Sequence, residues 1–535
     1  MHEYFREYIE IYPSTASFLG DRRFDGKLEN YLSRKTSDQW KHLLNKYLRL
    51  SRPLITEYDI MSKSFRWFLA MEKRQYENIT WMLPLSSYEN DVISLIFFNR
   101  EFYPLKTELD VKHLRLRYKS MTQIIYTSLQ SMIEGVVEGV VLPKLICKIL
   151  VDDLEAFYKN NSWVIEIPFS IDPLLQQKYE GTLKRYKFAL GRLISYLKET
   201  YFPLCRDTLG IGHLPKGKRT YVNIVKRETT YNIMPDDIFK YGIVEVHRLM
   251  GEFKALAKQL GYGSLAFKAF TKKMMEDPKY YAKDSKVLLD TFQRQRSRIR
   301  RTITRKYFKD QVKRTYNIAA VPKELEGSAA GAFYYSGNYT KHGNGKVFIN
   351  TRAMKENPIY STYVLSIHEG EPGHHYQFQS MIEKKLMKEQ IFAFNSNGFV
   401  EGWALYTESL GNYTPPEYFG KLCYEMMRAV RLVVDVGIHY YGWSWDHAFN
   451  YMVQHLPMTR SEIKTELLRY ICLPGQAVSY KVGEKVFKDL RDKYLGAQLG
   501  NIKDFHAEVL KYGIIPLEVL EEHINTLCKN KKNES

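Results

Sequence analysis

Apolar positions along this chain recur mostly at the three- and four-residue spacing of helices, and one stretch alternates like strands. In "TSDQWKHLLNKYLRLSRPLI", Trp40, Leu43, Leu44, Tyr47 and Leu48 form one stripe behind a capping Thr36 or Ser37, and Pro53 interrupts it. "MPDDIFKYGIVEVHRLMGEFKALAKQLGYG" opens with Pro235 and two aspartates, carries Ile243, Val246 and Leu249 at helical spacing, and ends in glycines. His247 lies in the middle of this helix with no second ligand type beside it, the usual setting of a structural histidine. The exception is "AFYYSGNYTKHGNGKVFINTR" (332–352), where two runs rich in Tyr, Phe, Val and Ile flank the turn signal Gly343-Asn344-Gly345 and predict a hairpin. The pattern therefore predicts a mainly α protein with a small β-hairpin or sheet, and no internal repeat or long linker divides it.

Directly after the hairpin comes "NPIYSTYVLSIHEGEPGHHYQ". Asn357 as cap and Pro358 at the first position predict a helix over about 358–380, with Tyr363, Val364 and Ile367 as its apolar face. His368-Glu369 begins like the H-E-x-x-H of zinc hydrolases, yet the fourth residue after His368 is Pro372. In a regular helix His374 lies about 9 Å along the axis and about 240° around from His368, and His375 lies about 10.5 Å along and nearly in line. Two nitrogens bound to one zinc at about 2.0–2.1 Å must come within roughly 3.5 Å of each other. The chain must therefore bulge between the histidines. Pro372, which cannot donate back along the helix, and Gly373, which tolerates unusual backbone angles, permit it.

Glu369 stands where such a site places the carboxylate that takes a proton from water. A third protein ligand is then needed, and "GFVEGWALYTESLG" supplies Glu401, a charge heading the apolar run Trp403, Ala404 and Leu405 on a helix over about 399–411. Glu408 lies two turns on along the same face, placed either to orient a ligand histidine or to form an ordinary core or surface pair. Farther along, Arg431, Asp435 and His439 share one helical face, as an Asp-oriented histidine that steadies an oxyanion or as a salt bridge between helices. "ELLRYICLPGQAVSYKVGEK" gathers Arg469, Tyr470, Gln476, Tyr480 and Lys481 about a Pro474-Gly475 break. Tyr480 or Tyr470 is a candidate donor to a tetrahedral intermediate, and Arg469 or Lys481 a candidate for holding a peptide carboxylate.

"HEGEPGHHYQ", "VEGWALYTE" and "RYICLPGQAVSYKVG", in that order, resemble the domain-of-unknown-function 885 family, grouped with zincin-like metallopeptidases. "YPSTASFLGDRRFDGKLENYLS" resembles its opening and "GKVFINTR" its strand before the metal helix, so the likeness spans nearly the whole chain. "VEGWALYTE" is also similar to the N-E-G-F-A segment of gluzincin aminopeptidases, whose glutamate is the third zinc ligand. The resemblance implies a large helical zincin-like peptidase fold, one Zn2+ per chain, His374 rather than His375 as second ligand, and His375 as its neighbour. It also implies an organisation with residues 1–325 as a helical wall of the cleft, 326–528 as the catalytic region, and 529–535 as a polar tail.

Composition changes this picture little. The net charge of +19 comes from scattered basic residues such as "RQRSRIRRTITRK" (293–305), which read as a solvated face rather than a nucleic-acid module. Five cysteines without a C-x-x-C pair exclude a cysteine zinc site and fit a reducing compartment. The first residues lack the apolar core of a signal peptide, and no apolar run reaches membrane-spanning length, so the expected location is cytoplasmic. The function expected is a zinc-dependent metallopeptidase acting on peptides, with Glu369, His439 and Tyr480 as catalytic groups. Its rivals are a non-catalytic zincin-like scaffold that binds a peptide or partner, and a metal-dependent hydrolase of a non-peptide amide or ester.

Overall fold

In the computed structural model, the stripe read on the Trp40 helix is buried as its spacing requires. Trp40, Leu43, Leu44 and Tyr47 face inward from a helix spanning Arg34–Leu50. Its cap is Ser33, whose extended backbone lets its hydroxyl accept from the Thr36 amide at 3.2 Å; Thr36 itself already lies inside the helix. The structure describes residues 2–51, 59–322, 331–336, 345–352, 357–386 and 396–534, so the expected stop at Pro53 lies outside the described residues. Pro235–Gln259 forms the second expected helix, with Pro235 in its first turn, Val246 and Leu249 buried, and His247 exposed on the outer face.

The helix Pro415–His439 is the central strut. From Ala429 to His439 every side chain is buried, and a helix apolar nearly all round must lie inside. It packs along Pro235–Gln259 on one side and against Trp445–His455 and Arg460–Cys472 on others. Most of its charged positions are paired, Glu417 with Arg298, Lys421 with Glu425 and Arg431 with Glu466. The Nζ of Lys481, fully buried on the helix Ser479–Gly496, lies 2.6 Å from Glu425, 2.5 Å from Glu484 and 3.0 Å from Glu245, so one ammonium ties three helices together. Removing one partner of such a group leaves a buried charge uncompensated and costs about 3–5 kcal/mol.

The helix Asn397–Glu408 crosses Ser479–Gly496 at two glycines. A Cβ on Gly402 would come within 2.5 Å of the Gly483 Cα, so these backbones touch with no room for any side chain between them. The contact fixes where Glu401 sits.

The mainly helical fold is interrupted by one three-stranded sheet of order β1-β3-β2, with β1 at Asn317–Ala320, β2 at Ala332–Tyr335 and β3 at Lys346–Ile349. The expected hairpin is β2 antiparallel to β3, in register Phe333↔Phe348, with those two rings stacked 5.3 Å apart. Gly343 and Asn344 of its turn signal lie outside the described residues. β1 adds a parallel partner to β3 that the pattern did not announce, because "NIAA" is too short and too mixed to alternate.

The arginine-rich segment corrects the solvated-face reading. Arg296 donates to the Tyr316 carbonyl at 2.5 Å, Arg298 to Glu417 at 2.5 Å and the Asn412 carbonyl at 2.7 Å, and Arg300 to the Val312 carbonyl at 3.0 Å. The exposed positions, Arg294, Ser297, Arg301, Thr302 and Arg305, form only one face of the segment. The last helix, Leu517–Glu534, runs through most of the basic end of the chain. All five cysteines are free thiols, although Cys147 and Cys205, distant in sequence, meet in the core. Among the described residues, no helix is long and apolar enough to cross a membrane.

Two buried histidines act as neutral clamps. His506 donates from Nδ1 to the Tyr307 carbonyl at 2.8 Å and accepts the Tyr406 hydroxyl at Nε2, also at 2.8 Å. His439 donates from Nε2 to the Tyr470 carbonyl at 2.9 Å and accepts the Ile211 amide at Nδ1. Burial lowers both pKa values from 6.5 to about 4. Between those values the unfolded chain binds more protons, so their contribution is complete above about pH 6.5 and is lost as pH falls toward 4, on the order of 3 kcal/mol each. Thermal unfolding followed from pH 7.5 down to 4.5 should show stability falling over this window, and His506→Gln should flatten the fall by about one proton. An unchanged slope would remove His506 from the account.

Candidate metal centre

The metal helix is not one helix. A 3-10 turn at Ile359–Ser361 leads into α-helix at Thr362–Leu365, a π turn at Ser366–Gly370, a break, and a second α-helix at His374–Glu383. Tyr363, Val364 and Ile367 are buried as expected, but Asn357 is not the cap: its side-chain amide donates to the Asn350 carbonyl at 2.6 Å, pinning the end of β3.

The break brings the histidines together. The wide turn carries His368 and Glu369, and the Gly373 amide then donates back to the Ile367 carbonyl at 3.0 Å, folding the chain across the helix end. At Gly373 φ is −76°, so positive φ is not the reason for glycine. The reason is space: a Cβ would lie 2.0 Å from the His368 carbonyl oxygen and 2.4 Å from that of Ile367. Trp403 holds the far side, donating from Nε1 to the Pro372 carbonyl at 3.0 Å. The rings of His368 and His374 end 4.8 Å apart, not a turn and a half away.

Glu401 completes the group. Its Oε2 lies 3.4 Å from His368 Nε2 and 3.5 Å from His374 Nε2, and all three ligand atoms fall within 4.8 Å of one another. Donors around a tetrahedral zinc, each about 2.0–2.1 Å from it, stand about 3.4 Å apart. The same Oε2 is buried and has no hydrogen-bond partner among the described residues, which a cation would satisfy. Two imidazoles and a carboxylate are a donor set suited to zinc, so the residues fit the ion. Glu408 Oε1 accepts from His368 Nδ1 at 2.8 Å, which fixes the tautomer and turns the Nε2 lone pair toward Glu401. His374 has no such support, its Nδ1 being buried without a partner among the described residues.

The electrostatics favour a cation. Burial alone would raise Glu401, but the imidazoles of His368 and His374 facing its Oε2 outweigh it and hold the carboxylate well below its usual range. Burial alone would lower His368, but Glu401 and Glu408 push it up to about 10. Glu369 moves the other way: burial raises its pKa, opposed by His368 and His374. Its Oε2 accepts from the Tyr334 amide of β2 at 2.9 Å, so the sheet positions this carboxylate beside the ligands.

The remaining expected residues are placed elsewhere. His375 is fully buried, donating from Nε2 to the Arg314 carbonyl at 3.0 Å and meeting the Tyr334 hydroxyl at 3.2 Å through Nδ1, with burial lowering its pKa to about 4. His439 is not brought to the ligand group, because backbone engages both of its nitrogens. Asp435 does not orient it: this carboxylate accepts from the Tyr221 hydroxyl at 2.5 Å and the Gly475 amide at 3.0 Å, and burial raises it to about 7. Lys481 is consumed by its three glutamates, and Tyr470 lies between Arg431 at 3.1 Å and Glu466 at 2.8 Å. Arg469 contacts Gln476 at 2.9 Å, and Tyr480 lies under the Arg431 guanidinium, 4.8 Å from its ring centre. Sequence reasoning missed the role of Tyr334, because the register that aims its amide at Glu369 is a tertiary fact.

Together these features define a helical protein with a buried His-His-Glu group beside a glutamate held by a sheet edge. The model of the family described as "Bacterial protein of unknown function (DUF885)" matches residues 13–524, and the chain belongs to this family. In fold it is similar to a "putative lipoprotein" from Colwellia psychrerythraea, with 21% identity, TM-score 0.81 and 99% of each chain covered. It is likewise similar to a "putative lipoprotein of unknown function" from Shewanella oneidensis, with 16% identity, TM-score 0.79 and 98% of each chain covered. No curated protein matches it in sequence.

Metal titration separates the two adjacent histidines. His374→Ala should lose stoichiometric zinc while His375→Gln keeps it, and Glu408→Gln should weaken zinc affinity by about 10–100-fold. Loss of zinc in the His375 variant alone would reverse the assignment.

Proposed function

We propose that this chain is a zinc-dependent hydrolase with a zincin-like active site, acting as a metallopeptidase on peptides. The observation that carries the proposal is the convergence of His368, His374 and Glu401 on one point, with the buried Glu369 carboxylate beside them and fixed by the Tyr334 amide. His368 Nε2, His374 Nε2 and Glu401 Oε2 would hold the ion. When bound, zinc supplies Lewis acidity, polarising a carbonyl and lowering the pKa of water.

The protein's own groups do the rest. Glu369, raised by burial and not paired with a lysine or arginine among the described residues, is suited to accept the proton of the attacking water and return it to the leaving amine. The Tyr334 amide holds that carboxylate in one orientation, so it is ready before substrate arrives. Glu408 keeps His368 in the tautomer that presents Nε2. The β2 strand beside the site supports docking of an extended peptide along the sheet, and the free cysteines support a reducing compartment.

Glu369→Gln preserves size while removing the base. The variant should keep full zinc content and hydrolyse a peptide mixture about 10²–10⁴-fold more slowly than the unaltered protein. Equal rates, or an unaltered protein without stoichiometric zinc, would contradict the proposal.

A further inference from the structure

Arg428 lies on the central helix and is 6% exposed, yet no carboxylate among the described residues pairs with it. Its Nη1 donates to the Tyr424 carbonyl at 3.2 Å, and its buried Nε has no partner among the described residues. A buried guanidinium left this way is costly unless an anion completes it. Of the other buried lysines and arginines among the described residues, Lys481 pairs with three glutamates and Arg431 with Glu466 at 2.9 Å, while Arg117, also without a carboxylate pair, is satisfied by the Asn99 side-chain oxygen and the Asp25 carbonyl.

The surroundings are built for an anion. Arg428 faces the rings of Tyr424 at 4.9 Å and Tyr480 at 5.8 Å, and Arg431 covers Tyr480 from 4.8 Å. Arg469 also sits against Tyr480 and lies 3.6 Å from Glu466. Two of the three guanidinium groups thus share Glu466, and the third has no carboxylate among the described residues. Tyr424, Glu466 and Arg469 are partly exposed, so solvent reaches this cluster.

Packing links it to the metal centre by two indirect routes. Tyr424 packs on the same apolar cluster as Tyr334 and Leu365, which flank Glu369 and the metal helix. Tyr480 lies one turn before Gly483, whose backbone touches Gly402, the residue after Glu401. Resting on the metallopeptidase reading, we propose that Arg428, framed by Tyr424 and Tyr480 and backed by Arg431 and Arg469, binds a carboxylate of the substrate beside the scissile bond. A planar guanidinium offers the paired donors that carboxylate geometry matches. The carboxylate is either the terminal one of a peptide cut near its carboxyl end or an Asp or Glu side chain.

Zinc-loaded protein given matched peptides answers both questions. Free-acid peptides should be cleaved with at least tenfold lower KM than the same peptides carrying a C-terminal amide, or, if the side chain is read, amidated peptides with Glu should be preferred tenfold over those with Gln. Arg428→Gln should collapse that preference toward unity at unchanged zinc content, with Arg428→Lys intermediate. A readout independent of turnover is calorimetric binding of N-acetylphenylalanine or N-acetylglutamate amide against its neutral counterpart, with binding of the acid lost in Arg428→Gln. Equal use of acids and neutral analogues by the unaltered protein, or a preference that survives Arg428→Gln, overturns the subsite. Zinc-loaded protein that binds the acid through Arg428 but cleaves none of the peptides keeps the subsite and overturns the peptidase reading.

Discussion

Everything at this site depends on one close approach of backbone to backbone. Two imidazoles on one chain segment share an ion only if they stand about 3.5 Å apart at their nitrogens, and a regular helix six residues long cannot provide that. The chain meets the constraint by widening the turn at Ser366–Gly370 and folding Gly373 onto the carbonyls of Ile367 and His368, where a Cβ would overlap both. "HEGEPGHH" is therefore a longer path to the geometry that H-E-x-x-H reaches in one turn.

The rest of the fold can be understood as what holds that bulge and its partner carboxylates in place. Trp403 clamps the Pro372 carbonyl from the helix that carries Glu401, and the Gly402–Gly483 contact locks this helix against the next. Glu408 reaches His368 from the same helix two turns on, so one rigid element supplies both a candidate ligand and the group that orients another. On the opposite side the sheet delivers one amide, that of Tyr334, to Glu369. Buried ion pairs around Lys481 keep the three flanking helices in fixed relation. Against this background of paired charge, the guanidinium of Arg428, with no carboxylate partner among the described residues, stands out.

The parts legible in the sequence were those set by local pattern. Stripes such as Trp40, Leu43, Leu44 and Tyr47 marked helices because a 3.6-residue period must bury one face, and the β2–β3 hairpin announced itself by composition and its turn. His368 was readable from its H-E pair, His374 through the family resemblance and Glu408 from its place two turns along the same face, while Glu401 was readable because a charged group in an apolar run needs a partner. His439 and Asp435 misled for the same reason. They too are polar groups in an apolar helix, but their partners are the Ile211 amide, the Tyr470 carbonyl, the Tyr221 hydroxyl and the Gly475 amide, and no periodicity reveals backbone partners from distant elements. β1, the arginines of the 293–305 segment, and the isolation of Arg428 were hidden likewise, since each depends on what other segments bring near.

The central claim is that one cation sits between His368, His374 and Glu401. Anomalous diffraction at the zinc edge from crystals of the zinc-loaded protein tests it most directly. The account predicts a single strong peak bonded by His368 Nε2, His374 Nε2 and the Glu401 carboxylate, with Glu369 beside it and unbonded. A peak coordinated by His375, or no peak among these residues at full zinc occupancy elsewhere, would contradict it.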